Sequence, residues 1–314
     1  MLSYLPLQLG LLWVVPRVDI VYIRAHPLAL LAALEAALFR KPVFHEVNGT
    51  YRDVYVAYPA AIRFRWLLTP MQRWQYRHAT GLIAVTDGLA AWAKAESGGR
   101  PTKVIPNGAN TGIFHPGART DRALPQHYAV FVGGLTIWHG IDMMRAAVAD
   151  PRWPADLPLV VAGDGPMRAA VEDAARATGR IVTLGRVPYR EVPGVLAGAS
   201  IGLVPITDPG GRSSLAGVSP LKLYELLACA VPVVVTDLPG LSDIVREERC
   251  GLVVPVGDAA AMAAAVGSLW SGRDAAKAMG ARGCAAVHAA HSWAERADAT
   301  RAFLTRCLEA GRDR

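Results

Sequence analysis

Several things are scarce in this chain of 314 residues, and each scarcity excludes something. Only four cysteines occur, Cys229, Cys250, Cys284 and Cys307, with no CxxC pair and no histidine at ligand spacing. A disulfide framework and a zinc site are therefore not expected, and a reducing compartment fits best. Long apolar runs are also wanting. The opening MLSYLPLQLGLLWVV is apolar but short, broken by proline and without a basic residue, so it reads as a helix lying on a sheet or on a membrane, the sheet being favoured. Arginine forms no stripe interleaved with aromatics, which leaves little to hold nucleic acid. The formal charge of +7, from 33 Lys and Arg against 26 acidic residues, is dispersed and instead suits phosphate-bearing ligands or an anionic surface.

What is abundant is core. Hydrophobic residues make up 52% of the chain, enough for about two domains. After Pro16, strand and helix patterns alternate. Val18–Ile23 reads as a buried strand, Pro27–Phe39 as a helix, Pro42–Val47 as a strand and Asn48–Tyr58 as a loop without period. Arg63–Ala79 reads as a helix, Gly81–Val85 as a strand, Asp87–Ala95 as a helix and Lys103–Ile105 as a short strand. A Pro-, Gly- and charge-rich segment, 116–126, is the expected linker between a first domain of residues 1–115 and a second of 127–290, with a closing helix over 291–314. The second series predicts strands at Ala129–Val132, Leu159–Ala162, Ile181–Leu184, Ile201–Val204, Val231–Val235 and Leu252–Val254. An α/β fold of two doubly wound domains follows, with ligands expected beyond the carboxyl ends of the strands.

One stretch, Gly217 to Gly240, carries the most chemistry. Ser219 suits an N-cap and Pro220 a first helical turn, with Leu221, Leu223, Leu226 and Leu227 at helical spacing. Free N–H groups and the macrodipole favour an anion at such a helix start. Lys222, in that first turn, gains nothing from the dipole and would instead meet the anion. Glu225, one turn on, has a carboxylate able to accept two hydrogen bonds from a vicinal diol such as a ribose. Together these groups describe a site for a sugar nucleotide.

Glycines close several strands of the second series: Gly133 and Gly134, Gly163 and Gly165, and Gly185. Lacking a Cβ, they let backbone N–H groups approach a phosphate or a flat base. Seven segments follow in order: GLIAVTDGLAAWA, KVIPNGANTGIFHPG, FVGGLTIWHGID, LVVAGDGPMRAAVEDAA, VTLGRVPYREVPGVLAGASIGLVP, SPLKLYELLACAVPVVVTDLPGLSDIV and GLVVPVGD. With them, from Val18 to about Asp258, the chain resembles the retaining glycosyltransferases of family 4, which have the GT-B fold. The resemblance implies two facing Rossmann-like domains, the N-terminal one incomplete, because family members carry two or three further βα units before the strand found here at VDIVYI. It implies a nucleotide-sugar donor in the C-terminal domain, a glycan or lipid-linked acceptor at the N-terminal one, retention of configuration and no metal cofactor.

Residue by residue, Glu225 matches the ribose-binding member of the family's two glutamates, whereas the other falls on Gly217. Ser219, Pro220 and Leu221 match the loop whose backbone meets sugar and phosphate. Gly134 and His139, in the turn that begins at Gly133, stand where many members carry an arginine and a lysine for the diphosphate. Lys222 is expected to replace that missing charge. Arg186 and Val187 match the turn beside the base. In the N-terminal domain the position of the family's catalytic-region histidine is Asn48. His45 reads as a satisfied core or edge histidine, while Glu46 and Asn48 have the reach to meet an acceptor hydroxyl, with Arg52 and Asp53 next.

Arg63, Arg65, Arg73 and Arg77 beside Trp66, Trp74 and Tyr76 suit an anionic interface, although a packed helix whose arginines reach solvent is favoured. The resemblance implies a cytoplasmic glycosyltransferase of polysaccharide or cell-envelope synthesis; peripheral contact at the inner face of the membrane is the less favoured reading of the arginine-rich helix. Two other readings stay open: a nucleotide-sugar epimerase of the same fold, and a non-catalytic nucleotide-sugar-binding protein, which Gly217 would favour.

Overall fold

A short β-branched run bounded by turns hides its side chains best as a parallel strand covered on both faces. The computed structural model of the chain describes residues 10–208 and 216–312, and among these it has two all-parallel sheets. The described residues gather into two compact units. One comprises those up to Pro106, with Ala216, Gly217 and those from Ala297 onward; the other comprises the rest between Asn107 and Arg296.

The first unit carries four strands in chain order: β1 (Val21–Arg24), β2 (Val43–Val47), β3 (Gly81–Ala84) and β4 (Thr102–Val104). The crossovers contain α1 (Leu30–Leu38), then α2 (Tyr51–Ala57) and α3 (Arg65–Arg77), then α4 (Asp87–Glu96). Val47, Leu82 and Ala84 pack with Tyr76 and Leu89, while Phe44, Ile83 and Ile105 pack with Phe303 from the closing helix α12 (Trp293–Arg312). The Phe44 and Phe303 rings meet edge to face at 6.3 Å, and a Cβ at Gly81 would stand 3.1 Å from Phe303.

Three expectations need correction here. The first strand begins at Val21 instead of Val18, because Val15–Arg17 form a 3-10 turn and pairing with β2 starts at Val21 opposite Val43. Asn48–Tyr58 is not all loop. It contains α2, opened by a capping box in which Asp53 accepts from the Thr50 backbone N–H, a T-x-x-D signature that its short mixed sequence conceals. The arginine-rich helix starts at Arg65, after a 3-10 stretch from Pro59 to Phe64.

The second unit is a six-stranded sheet, β5 (Ala129–Val132), β6 (Leu159–Ala162), β7 (Ile181–Gly185), β8 (Ile201–Val204), β9 (Val233–Thr236) and β10 (Gly251–Val254), in the order β10-β9-β8-β5-β6-β7. The winding reverses between β5 and β8, which is where such sheets bind ligands. These two strands pair only at Ala129–Ile201 and Val130–Gly202, so the ladder stops before their carboxyl ends.

All four residues of β9 are buried, each valine contributing about 1.5–3 kcal/mol relative to exposure. That strand starts two residues later than expected, since the Pro232 carbonyl accepts from Gly202 N–H and Pro232 has no N–H of its own to extend the ladder. The segment 116–126 packs within this unit. Arg122 pairs with Glu191 at 2.7 Å, and a Cβ at Gly194 would reach 2.2 Å from the Arg119 carbonyl.

Candidate functional site

The site begins at the start of α8 (Leu221–Ala228), the helix that follows β8 and packs on it closely enough that a Cβ at Gly202 would lie 2.6 Å from Leu226. Pro220, with extended backbone at ψ 131°, occupies the N-cap position, and no side chain caps the helix. Ser219 is not the cap because its hydroxyl is engaged elsewhere. It accepts from the Asn107 N–H at 3.1 Å and lies 3.0 Å from the Tyr224 hydroxyl, while the Asn107 side-chain amide donates to the Ser219 carbonyl at 2.6 Å. The serine loop is therefore tied down while Leu221 and Lys222 stand at an uncapped helix start, where the dipole favours an anion.

Lys222 points inward. It is only 9% exposed, and its ammonium, 4.2 Å above the Phe131 ring, has no hydrogen-bond partner among the described residues. The space it fills is lent by Gly133, the residue after β5, where a Cβ would stand 2.6 Å from Nζ and 3.2 Å from Cε. Burial lowers the Lys222 pKa to about 7, with Glu225 pulling it back up. Burial likewise raises half-buried Glu225 to about 7 against the opposing effect of Lys222. Near neutral pH both groups are thus poised to change charge when a ligand arrives.

The glycine turns pack on one another, and among them Gly133 lies against this ammonium. Gly133 N–H donates to the Ala162 carbonyl at 3.0 Å, and Gly163 N–H to the Gly185 carbonyl at 2.8 Å. A Cβ at Gly163 would fall 1.9 Å from the Gly133 carbonyl oxygen, so no other residue fits there. His139 Nδ1 lies 2.6 Å from the Gly134 carbonyl, to which it can only donate. The loop from Ile137 to Gly140 is held to the end of β8, since Thr207 donates to the Trp138 carbonyl at 3.0 Å and to the Ile137 carbonyl at 2.8 Å.

Gly133, Gly134, His139, Pro220, Leu221, Lys222 and Glu225 thus belong to the β5 and α8 ends of one unit. Arg186, exposed, and Val187, half-buried, follow the edge strand β7, separated from β5 by β6.

In the first unit, Glu46 and Asn48 stand at the carboxyl end of β2. The Asn48 amide donates to Glu46 Oε1 at 2.6 Å and the Tyr22 hydroxyl donates to Oε2 at 3.0 Å. Burial, then the facing carboxylate, raises the Tyr22 pKa. Asp53 serves the start of α2, and Arg52 is exposed. His45 is a core residue, but not a satisfied one. Neither ring nitrogen has a partner among the described residues, the ring meets Tyr76 edge-on at 5.7 Å, and burial lowers its pKa to about 4.

The residues missed from sequence are Asn107, Tyr224 and Phe131. Asn107 had a signal in the PNG turn after β4; the other two look like ordinary core. Among the described residues no three His, Cys, Asp or Glu side chains are grouped as metal ligands, and no helix is long and apolar enough to cross a membrane.

The chain has matches among known families, proteins and structures. Residues 126–272 match the model of the glycosyl transferases group 1, and residues 3–112 match that of Glycosyltransferase Family 4. The chain belongs to glycosyltransferase family 4. This family 4 chain is 27% identical over 218 residues to the 2-deoxystreptamine glucosyltransferase of Streptomyces kanamyceticus, covering 64% of the present chain and 54% of that protein. It is 32% identical over 178 residues to the GDP-mannose-dependent alpha-(1-6)-phosphatidylinositol dimannoside mannosyltransferase of Mycobacterium tuberculosis, covering 53% and 43% respectively.

The chain spans about half the length of these curated relatives. Among solved structures, sucrose-phosphate synthase from Thermosynechococcus elongatus aligns with a TM-score of 0.70 at 20% identity, over 93% of this chain and 74% of that one. Anabaena HepE in complex with UDP aligns with a TM-score of 0.75 at 16% identity, over 96% and 82%. The fold of the family 4 chain is GT-B.

Proposed function

We propose that this chain transfers a sugar from a nucleotide-sugar donor to an acceptor hydroxyl, with retention of anomeric configuration and without a metal ion, and that the acceptor is a lipid-linked or other cell-envelope glycan. The observation that carries the reading is the Lys222 ammonium, buried and unpartnered beside the Gly133 turn at the switch point of the sheet. A buried ammonium without a partner is costly, and a diphosphate is the partner that removes the cost.

When the bond from the anomeric carbon to the diphosphate oxygen breaks, negative charge grows on the leaving group. Lys222, the first N–H groups of α8 and the dipole behind them stabilise it there. This supplies the charge that Gly134 and His139 do not. Glu225 accepts from the ribose hydroxyls, and Arg186 and Val187 flank the base. Glu46 and Asn48, from the first unit, are assigned to the acceptor hydroxyl. The lipid-linked acceptor draws its support from the mannosyltransferase relative, whose name contains a phosphatidylinositol dimannoside.

Calorimetry with a panel of nucleoside diphosphates in metal-free buffer tests the donor half. One base is expected to bind, with affinity falling about tenfold or more in Glu225→Ala, the cost of losing hydrogen bonds to a carboxylate. A folded chain that binds none of them rejects the assignment.

A further inference from the structure

The arginine-rich helix does not pack along its whole length. From Gln72 onward α3 is core, with Gln72, Gln75 and Tyr76 buried. Its first turn and the 3-10 stretch before it stand clear: Pro59–Phe64 has no buried residue, and the six consecutive residues Ile62 to Leu67 are all exposed. Trp66 is 71% exposed and Tyr58 68%, with Ile62, Phe64 and Leu67 also open to solvent. Single exposed apolar residues are ordinary, but a continuous ridge of large ones is not.

Charge on the ridge has one sign. Arg63 and Arg65 alternate with the apolar residues, and neither has an ion-pair partner among the described residues. Arg73, on the packed part of the same helix, is by contrast bound to Glu96 at 2.7 Å. Between Asp53 and Asp87 the sequence contains no acidic residue at all.

We propose that the segment Tyr58–Leu67 is a docking surface for an anionic lipid bilayer. Aromatic side chains and arginines together favour the headgroup region, where rings enter the acyl boundary and guanidinium groups stay with phosphates. A second copy of the chain is the poorer occupant, because two such ridges face to face would oppose cation to cation with nothing acidic to relieve them. The inference deepens the lipid-linked acceptor reading by naming the surface that would bring the enzyme to that acceptor. It is tested without donor, so its failure and that of the donor site are separable.

The experiment is co-sedimentation of the full chain with vesicles of phosphatidylcholine alone or mixed with phosphatidylglycerol. Binding is expected only with the anionic lipid and is expected to weaken as salt is raised. Arg63→Glu with Arg65→Glu, and separately Phe64→Ser with Trp66→Ser, should each lower vesicle binding about tenfold or more. Because the ridge is exposed, both double variants should keep the wild-type melting temperature and nucleotide affinity. The inference is overturned if folded wild-type chain stays in solution beside anionic vesicles, or if both double variants bind like wild type. It is also overturned if light scattering finds a dimer that Phe64→Ser with Trp66→Ser disperses and that accounts for the exposed ridge.

Discussion

The carboxyl ends of the two sheets hold polar groups in opposite conditions. In the first unit Glu46 is closed on itself, both oxygens bonded to Asn48 and Tyr22. In the second, Lys222 is buried with no partner among the described residues. A satisfied group stabilises the free protein, whereas a buried orphan charge destabilises it until a ligand of opposite sign arrives. On the proposed function, the second unit is the one where a ligand would remove that cost. The difference also predicts that substitutions at the two places move stability in opposite directions.

The sharpest test is Lys222→Met. Affinity for a nucleoside diphosphate should fall about a hundredfold, while the free protein becomes more stable by about 1–4 kcal/mol because a buried unpaired charge has gone. A lower melting temperature in Lys222→Met would remove the contrast altogether. Gly133→Ala comes next. Its φ of +146° is strained for any side chain, and the new Cβ would press on Nζ, so binding should weaken about tenfold or more with a stability loss of about 1–3 kcal/mol. Isothermal titration and thermal melts on one preparation measure both quantities.

Dependence on pH is smaller and has a definite sign. Lys222 has a pKa of about 7 in the free protein, and a bound diphosphate would raise it. Binding should therefore take up a proton above pH 7, and affinity should decline as pH rises from there, by up to about tenfold per unit. Lys222→Met should abolish the decline. For folding, the native state binds fewer protons at Lys222 than the unfolded chain does between about pH 7 and the ordinary lysine value of about 10.4, so this group makes stability rise with pH across that window and fall as pH drops through 7. Glu225, raised to about 7, works in the lower window: its contribution is present below about pH 4.3 and is lost as pH rises through 7.

The smallest stability effect belongs to the closed site. Glu46→Gln keeps the shape but turns an acceptor oxygen into an amide that faces a donor, and should cost about 1 kcal/mol. Turnover should fall while nucleoside diphosphate affinity stays at the wild-type value. Weakened nucleotide binding in this variant would show that Glu46 has been assigned to the wrong substrate.

Most of the sheet was legible in the sequence, because a parallel strand buried on both faces leaves a continuous apolar run such as Val233 to Val235. The α2 helix was not, since seven residues with mixed polarity carry little period and only the Thr50–Asp53 box marks the start. At the candidate site, the helix that carries Lys222 and Glu225 one turn apart was readable from its leucine spacing. What the sequence could not contain was the depth of Lys222. That depends on Phe131 and Gly133, distant in the chain and brought to it by the order of the strands. Ser219 misled for a similar reason: a serine before a helix suits a cap until a remote asparagine claims its oxygen.

Phe303 has a consequence for how the chain is made. The core formed by Phe44, Ile83 and Ile105 includes this residue of the closing helix. During synthesis the second unit can complete its own sheet while the first, though translated earlier, still lacks part of its covering. The earlier half then waits with apolar surface open until that helix has been made, which makes it the half more exposed to aggregation during synthesis.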